Sequence, residues 1–368
     1  MNQSTLLHIV ERLEGFVGKL PEAIQRPILR ELTPLKELFL QQRPPRFVFT
    51  GNKNEPVPEM MARLFAAFVS AEEIRVTLAD PMWQEVSLGE HGKISVLDAR
   101  EAGAPEKTKI RKALNEQPPD VIFSLIEGKS SRRKSEGPEP QYLEANPSTV
   151  PPLTIGIATA KDFVSDPKTE ETFTRLFHFP PAAEESRTKS RELMSLLVRQ
   201  VPNEARIEMI RISRDREAQR EIAQSLVKST AAVCTAIGAQ PIPLADLPIL
   251  TTLQLVMVSG IMYVSGRERS LRAATEFIGA LGANVGAGML LREGTRALLK
   301  FFPGWGNVIC GMVAGAGTYA VGRAAIVFFI DGVSLKDARR TYLTSRKKSA
   351  RPALADPRYY SKGGKRRK

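Results

Sequence analysis

A short apolar run, a single glycine and a helical pattern in succession constrain the fold of this chain most. Residues 46–51 read RFVFTG, a β-type run that ends in glycine, and apolar residues recur at helical spacing over 58–70. Strands are expected at 46–50, 83–88, 93–98, 120–126, 153–159 and 206–213, and helices at 58–70, 105–116, 184–200 and 215–233. This alternation predicts an α/β fold with a mostly parallel sheet, one antiparallel hairpin at 83–98, and helices on both faces.

The loop after the first strand has the position of a phosphate-binding loop but lacks the residues that bind phosphate. In the pattern G-x-x-x-x-G-K-[ST], backbone N–H groups hold phosphate, the lysine meets the β and γ oxygens, and the hydroxyl holds Mg²⁺. Counted from Gly51, the last three positions hold Pro56, Val57 and Pro58. Because proline has no N–H group, two backbone donors are lost together with the cation and the magnesium ligand. We therefore expect no hydrolysis at this loop.

Four further segments differ in composition from the α/β stretch 46–235. Residues 1–45 carry two apolar stripes at helical spacing and predict an N-terminal helical segment. Residues 128–150 are rich in serine, proline and charge, which predicts a disordered insertion between two strands. Residues 236–335 are apolar and glycine-rich and predict an all-α domain, whereas residues 336–368 predict a basic, disordered tail.

The formal charge of +13 is concentrated in that tail. From Arg339 to Lys368 there are twelve Lys or Arg residues and one acid, so the rest of the chain is close to neutral. Such a cluster binds anionic lipid head groups or nucleic acid through charge alone, although a charge run is most often a solvated tail. The candidate contacts are Arg339, Arg340, Arg346, Lys347, Lys348, Lys365, Arg366, Arg367 and Lys368.

Two apolar blocks in the C-terminal region are just long enough to cross a membrane. Residues 247–265 and 303–322 contain 19 and 20 residues without charge, and a spanning helix needs about 20. The block 277–291 is too short to span alone. The pairs Gly282/Gly286 and Gly311/Gly315 would let helices approach closely, as in membrane helix pairs. The alternative is a compact soluble bundle with the same close contacts.

Two further strand ends carry short polar motifs. Asp98-Ala99-Arg100-Glu101 follows KISVL, and Thr159-Ala160-Lys161-Asp162 ends the strand expected at 153–159. With the loop at Gly51, they resemble the landmarks of Era-like and translation-factor-type GTPase domains, namely Asp-x-x-Gly and Asn-Lys-x-Asp. The resemblance implies a P-loop GTPase-like fold with remnants of a nucleotide site at Gly51, Thr77, Asp98, Thr159 and Asp162. Taken singly, Asp98 and Asp162 are ordinary capping or turn aspartates at strand ends.

The region from about 230 to 335 resembles a bacterial helical domain of unknown function that accompanies Era-like GTPase domains and is associated with membranes. The residues that carry the resemblance are Pro241, Pro243, Asp246, Pro248, Gln254, Pro303, Gly304, Gly306, Thr318 and Gly322. It implies a location at the cytoplasmic side of the bacterial inner membrane, peripheral or multi-pass, or in the cytoplasm if the helices form a soluble bundle. Relatives linked to a GTPase should keep an intact phosphate loop, and this chain does not.

Three functions are compatible with these patterns. The first is a catalytically inactive GTPase-like scaffold, without cofactor, that is attached to a membrane and pairs with an active GTPase. The second is a divergent protein that binds GTP and Mg²⁺ weakly through Asp162. The third is a nucleic-acid-binding Era-like protein, although aromatic residues for base stacking are sparse in the tail. The three histidines and two cysteines are scattered along the sequence, without the spacing of a metal site.

Overall fold

The computed structural model divides the chain into two compact units. The structure describes residues 42–53, 55–78, 82–126, 151–160, 173–179, 183–239, 246–282 and 306–354, with isolated positions outside these ranges. Gln41–Asp215 forms the sheet unit, and Met1–Leu40 with Arg216–Lys368 forms the helical unit. The boundary expected near residue 235 therefore lies at residue 215, because the helix expected at 215–233 belongs with the C-terminal helices.

The sheet unit is built on seven described strands in one sheet. They are β1 Arg46–Gly51, β2 Ile74–Leu78, β3 Trp83–Leu88, β4 Lys93–Asp98, β5 Val121–Ile126, β6 Leu153–Ala158 and β7 Arg175–His178. Their order is β2-β3-β4-β1-β5-β6-β7. The strands from β4 to β7 pair in parallel, whereas β3 is antiparallel to both β2 and β4. The predicted mostly parallel sheet and the predicted hairpin are both confirmed.

Helices cover this sheet. They are α1 Val57–Leu64, α2 Ala104–Glu116, α3 Ala183–Gln200 and α4 Asn203–Ser213. Successive residues of a strand point to opposite faces, and Phe47, Val48 and Phe49 of β1 are all fully buried. Val48 packs in one cluster with Ile110 of α2, while Phe49 stacks on Phe123 of β5. Both faces of the central strand are therefore covered, as the continuous apolar run of β1 predicts.

The amino end of the sheet is held by an ion pair. The Arg43 guanidinium donates hydrogen bonds of 2.6 and 2.7 Å to the two carboxylate oxygens of Asp120, and the Arg46 backbone N–H donates to the same carboxylate. Burial acts against the charge on Arg43, but the hydrogen bond and the negative charge of Asp120 outweigh it and raise the pKa of the guanidinium. This pair joins the segment before β1 to the turn before β5.

One predicted strand is wrong and two strands were not predicted. Residues 206–213 form helix α4 instead of a strand. Ala205, Ile207, Met209, Ile210 and Ile212 are all buried, so this helix is apolar around most of its surface and its sequence does not show the period that separates helix from strand. The missed strands, β2 and β7, contain only five and four residues at the two edges of the sheet.

The helical unit contains five long described helices. They are α5 Arg216–Gly238, α6 Asp246–Val264, α7 Leu271–Gly282, α8 Gly306–Phe329 and α9 Leu335–Leu354. The N-terminal segment joins this unit, since Val17 and Ile28 pack in one buried cluster with Val233, Ile237 and Leu253. The expected helical character of both the N-terminal and the C-terminal regions is thus present in the described residues.

Glycines of α8 let it approach α5 closely. A Cβ on Gly311 would lie 2.6 Å from the Thr235 carbonyl oxygen, and one on Gly315 would overlap the Thr235 hydroxyl. A Cβ on Gly322 would overlap the Val227 side chain. The close packing predicted for Gly311 and Gly315 is confirmed, and the partner helix is α5. Gly282 has open space around its Cα, and Gly286 lies outside the described residues.

The prediction of a disordered tail from residue 336 is wrong for its first part, which forms helix α9. Ser334 begins this helix by donating its hydroxyl to the Asp337 carboxylate and accepting from the Asp337 backbone N–H. Ala338 is fully buried, so packing adds to this cap. Charge content alone suggested disorder, but a cap and a buried face are sufficient for a helix. Residues 355–368 and the predicted insertion 128–150 lie outside the described residues.

Candidate functional site

The topology places the candidate site at the carboxyl end of β1. After β1 the chain builds β2, β3 and β4 on one side of it and then crosses over to β5 on the other side. Open α/β sheets bind ligands in the crevice at such a reversal of strand order. Gly51 and Asp98 are brought together there, because β1 and β4 pair in parallel with Phe49 opposite Asp98.

The other residues of the predicted nucleotide site lie further from this crevice or outside the described residues. Thr77 is on edge strand β2, three strand spacings from β1, which corresponds to about 14 Å. The structure therefore does not place it beside Asp98. Thr159 directly follows β6, two spacings from β1, or about 10 Å. Asp162 lies outside the described residues.

The presence of glycine at position 51 has a structural explanation that does not involve phosphate. Its φ of 92° lies in the region that favours glycine, and an added Cβ would overlap the Leu125 carbonyl oxygen of β5. Gly51 also pairs with Leu125 in the sheet. The one residue of the loop that matches a phosphate-binding pattern is thus explained by the close approach of β1 and β5.

A buried arginine fills the crevice between β4 and the loop after β1. Arg100 is only 3% exposed, and its Nε and Nη2 donate hydrogen bonds of 2.7 and 2.9 Å to the two oxygens of Asp98. Its Nη1 donates a 2.6 Å hydrogen bond to the Glu55 carbonyl oxygen. The carboxylate that would face a magnesium ion in a GTPase-like site is therefore neutralised by a guanidinium of the same chain.

An acidic side chain points to the backbone of the same loop. Glu101 has a φ of 52°, and its Oε1 lies 3.4 Å from the backbone N of Lys53. In a phosphate-binding loop such N–H groups face the anionic ligand. Here the N–H of Lys53 faces a carboxylate, so Glu101 places negative charge next to the backbone of this loop.

The first turn of α1 is also unsuited to an anion. Pro56 caps this helix, Pro58 lies in its first turn, and Glu59 adds an acidic side chain there. Glu55, just before the helix, forms a 2.5 Å ion pair with Arg63. The helix N-terminus therefore lacks the N–H donors of two positions and has a carboxylate of its own, which lowers its attraction for phosphate.

Sequence reasoning identified Asp98 and Glu101 but missed Arg100. Its position two residues after Asp98 was visible, yet nothing in that spacing distinguishes a buried guanidinium from a solvated one. Within the described part of the chain, no group of three or more His, Cys, Asp or Glu side chains is placed to hold a metal ion. What the crevice contains is a salt bridge, a hydrogen-bonded carbonyl group and an excess of carboxylates.

In the helical unit, two of the motif residues meet between α6 and α8. Gln254 donates a 2.9 Å hydrogen bond from Nε2 to the Thr318 hydroxyl, and Thr318 is fully buried. Thr318 also hydrogen-bonds the Cys234 thiol of α5, whose pKa burial raises to about 11. Buried polar groups of this kind fix how neighbouring helices pack. Asp246 and Pro248 lie in the first turn of α6, Gly306 begins α8, and Pro241, Pro243, Pro303 and Gly304 lie outside the described residues.

The predicted anion contacts are described only in part. Arg340 is exposed on α9, and Arg339 and Arg346 are half-buried on the same helix. Lys347 and Lys348 continue the helix, but their side chains lie outside the description. Lys365, Arg366, Arg367 and Lys368 are beyond the last described residue.

By length and composition alone, one described helix is suited to cross a membrane. This is Gly311–Phe329 of α8, and half of it is buried within the protein. The apolar part of α6, Ile249–Val264, is shorter. The buried core helix of a soluble protein has the same composition, so this feature does not separate the two alternatives left open by the apolar blocks.

Comparison with known proteins gives a distant relative. No family model matches the chain, and no solved structure matches it. Over 132 residues it is 29% identical to magnetosome membrane protein 22 of Magnetospirillum gryphiswaldense, a match that covers 33% of the chain and 66% of that protein. The chain thus spans just under two thirds of the length of this relative. That relative is named as a membrane protein, and the match carries no information on a GTPase fold.

Proposed function

We propose that this protein is a catalytically inactive GTPase-like scaffold that associates with a membrane through its helical unit. The observation that carries the first part is Arg100. Its guanidinium is held by Asp98 and the Glu55 carbonyl oxygen in the crevice at the end of β1. A triphosphate entering there would have to displace this salt bridge.

The surrounding charges support the same proposal. Phosphoryl transfer needs cations or metal ions on the transferring group, and the loop has neither the lysine nor the hydroxyl that would supply them. Glu101 and Glu59 would face an incoming phosphate with like charge. The expected activity of the sheet unit is therefore presentation of a surface, without nucleotide turnover.

Two observations support membrane association. The similar protein of Magnetospirillum gryphiswaldense is a magnetosome membrane protein. The basic residues of α9 suit a leaflet with anionic lipids. The cytoplasmic face of a bacterial inner membrane is the location that we propose, with an active GTPase as the class of partner that an inactive GTPase-like scaffold would take.

Titration of the full-length protein with fluorescent GTP and GDP, in the presence of Mg²⁺, tests the nucleotide half of this proposal. We expect no saturable binding below about 100 µM, a free energy of roughly −5.5 kcal/mol. Saturable binding in the low micromolar range that is lost in Asp162→Ala would overturn it. Glu116→Ala, which removes an exposed carboxylate at the end of α2, is the matched control.

A further inference from the structure

We propose that α9 is the membrane-binding element and lies flat on an anionic bilayer, while α8 stays inside the helical unit and does not cross the membrane. This inference rests on the membrane association proposed above and specifies which surface makes it and which lipids it recognises. It follows from the two faces of α9 and from the packing of α8.

The two faces of α9 differ in exposure. Ala338 is fully buried and Thr341, Tyr342 and Ser345 are half-buried, which is the spacing of one helical face. The exposed residues in the described part of this helix are Leu335, Lys336, Asp337, Arg340, Leu343 and Thr344. Leu335 and Leu343 are 39% and 43% exposed, and they are among the few large apolar side chains that the described surface shows to solvent.

The exposed face is positively charged as well as apolar. Lys336 and Arg340 are four residues apart and therefore adjacent on the helix surface. The acid nearest to them, Asp337, accepts a 2.7 Å hydrogen bond from the Ser334 hydroxyl that caps the helix. The sequence continues with Lys347, Lys348 and Arg351 and without an acid up to the end of the helix.

Leucines between cations suit the surface of an anionic bilayer. Helices that lie in the membrane interface place apolar side chains among the acyl chains and Lys or Arg at the head groups. Each Lys or Arg close to an anionic leaflet raises partitioning about fivefold. A nucleic acid would use the cations but not the exposed leucines, and stacking aromatic side chains are not part of this face. The exposed face therefore fits lipid better than nucleic acid.

The packing of α8 argues against a membrane-spanning role for it. Its glycine face is pressed against α5, as the overlap of Gly315 with Thr235 shows. Helix α5 carries the exposed Lys228 at mid-length, next to the Val227 side chain that Gly322 of α8 approaches, and Arg323 lies within α8 itself. Moving α8 into a bilayer would either carry these charges into the hydrocarbon or break the contact between the two helices, and both are unfavourable.

Flotation of the full-length protein with vesicles tests this inference. The vesicles are phosphatidylcholine alone and a 70:30 mixture of phosphatidylcholine and phosphatidylglycerol. The variant Lys336→Glu/Arg340→Glu should lower binding to the anionic vesicles by at least about 25-fold, since two fivefold contributions are lost. The matched control Lys109→Glu/Arg111→Glu makes the same change of charge at two exposed positions of α2 and should bind more than tenfold better than the α9 variant.

A second pair of variants separates α9 from α8. Leu343→Ser should lower binding to the anionic vesicles severalfold, whereas Val313→Ser, at a side chain of α8 that is 53% exposed, should leave it unchanged. Bound protein should be released by alkaline carbonate and by high salt. Circular dichroism of each variant shows that the helices are intact.

The possible outcomes are distinct. Binding that survives Lys336→Glu/Arg340→Glu, or resists carbonate, would overturn the inference and leave membrane association standing with α8 as the inserted element. Loss of vesicle binding in Val313→Ser but not in Leu343→Ser would likewise identify α8 as the inserted element. If the wild-type protein binds neither vesicle, the proposed membrane association itself is wrong. Binding to duplex RNA in place of anionic vesicles would overturn the role of α9 as well as the proposed membrane association, and would favour a nucleic-acid partner.

Discussion

Replacement of Arg100 with methionine should destabilise the sheet unit by about 3 kcal/mol, because it leaves a carboxylate and a carbonyl oxygen without their partner. Methionine keeps the length and apolar contacts of the arginine side chain. The substitution therefore removes the guanidinium with little change in packing. It tests directly whether this group is a structural part of the candidate site.

The magnitude follows from the contacts of Arg100. Three side-chain hydrogen bonds of 2.6 to 2.9 Å are lost, two of them to the Asp98 carboxylate. Removal of one partner of a buried ion pair costs about 3–5 kcal/mol. Since the Asp98 side chain keeps 15% of its surface exposed, water can solvate part of the orphaned charge, and the lower end of that range is expected.

The assay is urea unfolding of the full-length protein followed by tryptophan fluorescence. Trp83 is buried in β3, so in a Trp305→Phe background its emission reports on the sheet unit alone. The double variant Arg100→Met/Asp98→Asn should be about 1.5 kcal/mol more stable than the sum of the two single losses, because no charge is left unpaired. The control Lys93→Met breaks the exposed pair with Glu85 and should cost less than about 1 kcal/mol.

Two results would refute this reasoning. One is a loss below about 1 kcal/mol for Arg100→Met, no larger than that of the exposed control pair. The other is saturable binding of GTP and Mg²⁺ by Arg100→Met, which would mean that the guanidinium blocks an otherwise competent site. The second result would also favour the divergent GTP-binding protein over the inactive scaffold.

Three further predictions concern other parts of the chain. Burial, and then the charge of Arg214, lower the pKa of His91 below its ordinary value of 6.5, so the unfolded chain binds more protons and stability should fall as pH drops below that value. Urea unfolding at pH 7.5 and 5.5 should show a smaller fall in His91→Gln, and an unchanged fall would contradict this cause. Gly315→Ala should lower the free energy of unfolding by about 1–3 kcal/mol, measured by thermal unfolding, because the added Cβ overlaps α5. Gly317→Ala, which has open space around it, should instead raise the stability by up to about 1 kcal/mol. Equal effects of the two substitutions would rule out the close contact. Burial raises the pKa of the Cys234 thiol to about 11. In a Cys310→Ser background, this thiol should therefore react with a thiol reagent at pH 8 only as fast as the protein unfolds locally. Immediate labelling would contradict its burial.

Much of the fold could be predicted from sequence because β1 and β5 contain continuous apolar runs, whereas β3 and β4 alternate apolar and polar residues. Strands β1, β3, β4, β5 and β6 were each expected within one residue of their observed ends. The edge strands were missed because four or five residues carry too little period to identify a strand. Helix α9 was missed because its buried face consists of Ala338 and hydroxyl residues, which do not look like a core.

The candidate site was predictable in position but not in content. A strand end that leads to glycine and a helix marks the carboxyl edge of a sheet, so Gly51 and Asp98 could be placed near each other from sequence. The position of Thr77 could not be predicted, since its strand was not recognised from sequence and lies at the edge of the sheet. Whether an arginine two residues after an aspartate is solvated or buried depends on the backbone of the facing loop, here at Glu55.

The sequence by itself determined what the loop after β1 lacks, because a proline has no N–H group and a valine has no charge in any fold. It also determined that positive charge gathers near the C-terminus. Only the tertiary structure decided that Arg100 occupies the crevice and that the small residues of α8 are pressed against α5. It also decided that Leu335, Lys336 and Leu343 share one exposed face. These are relations between segments far apart in sequence, and only the packing of the folded chain brings them together.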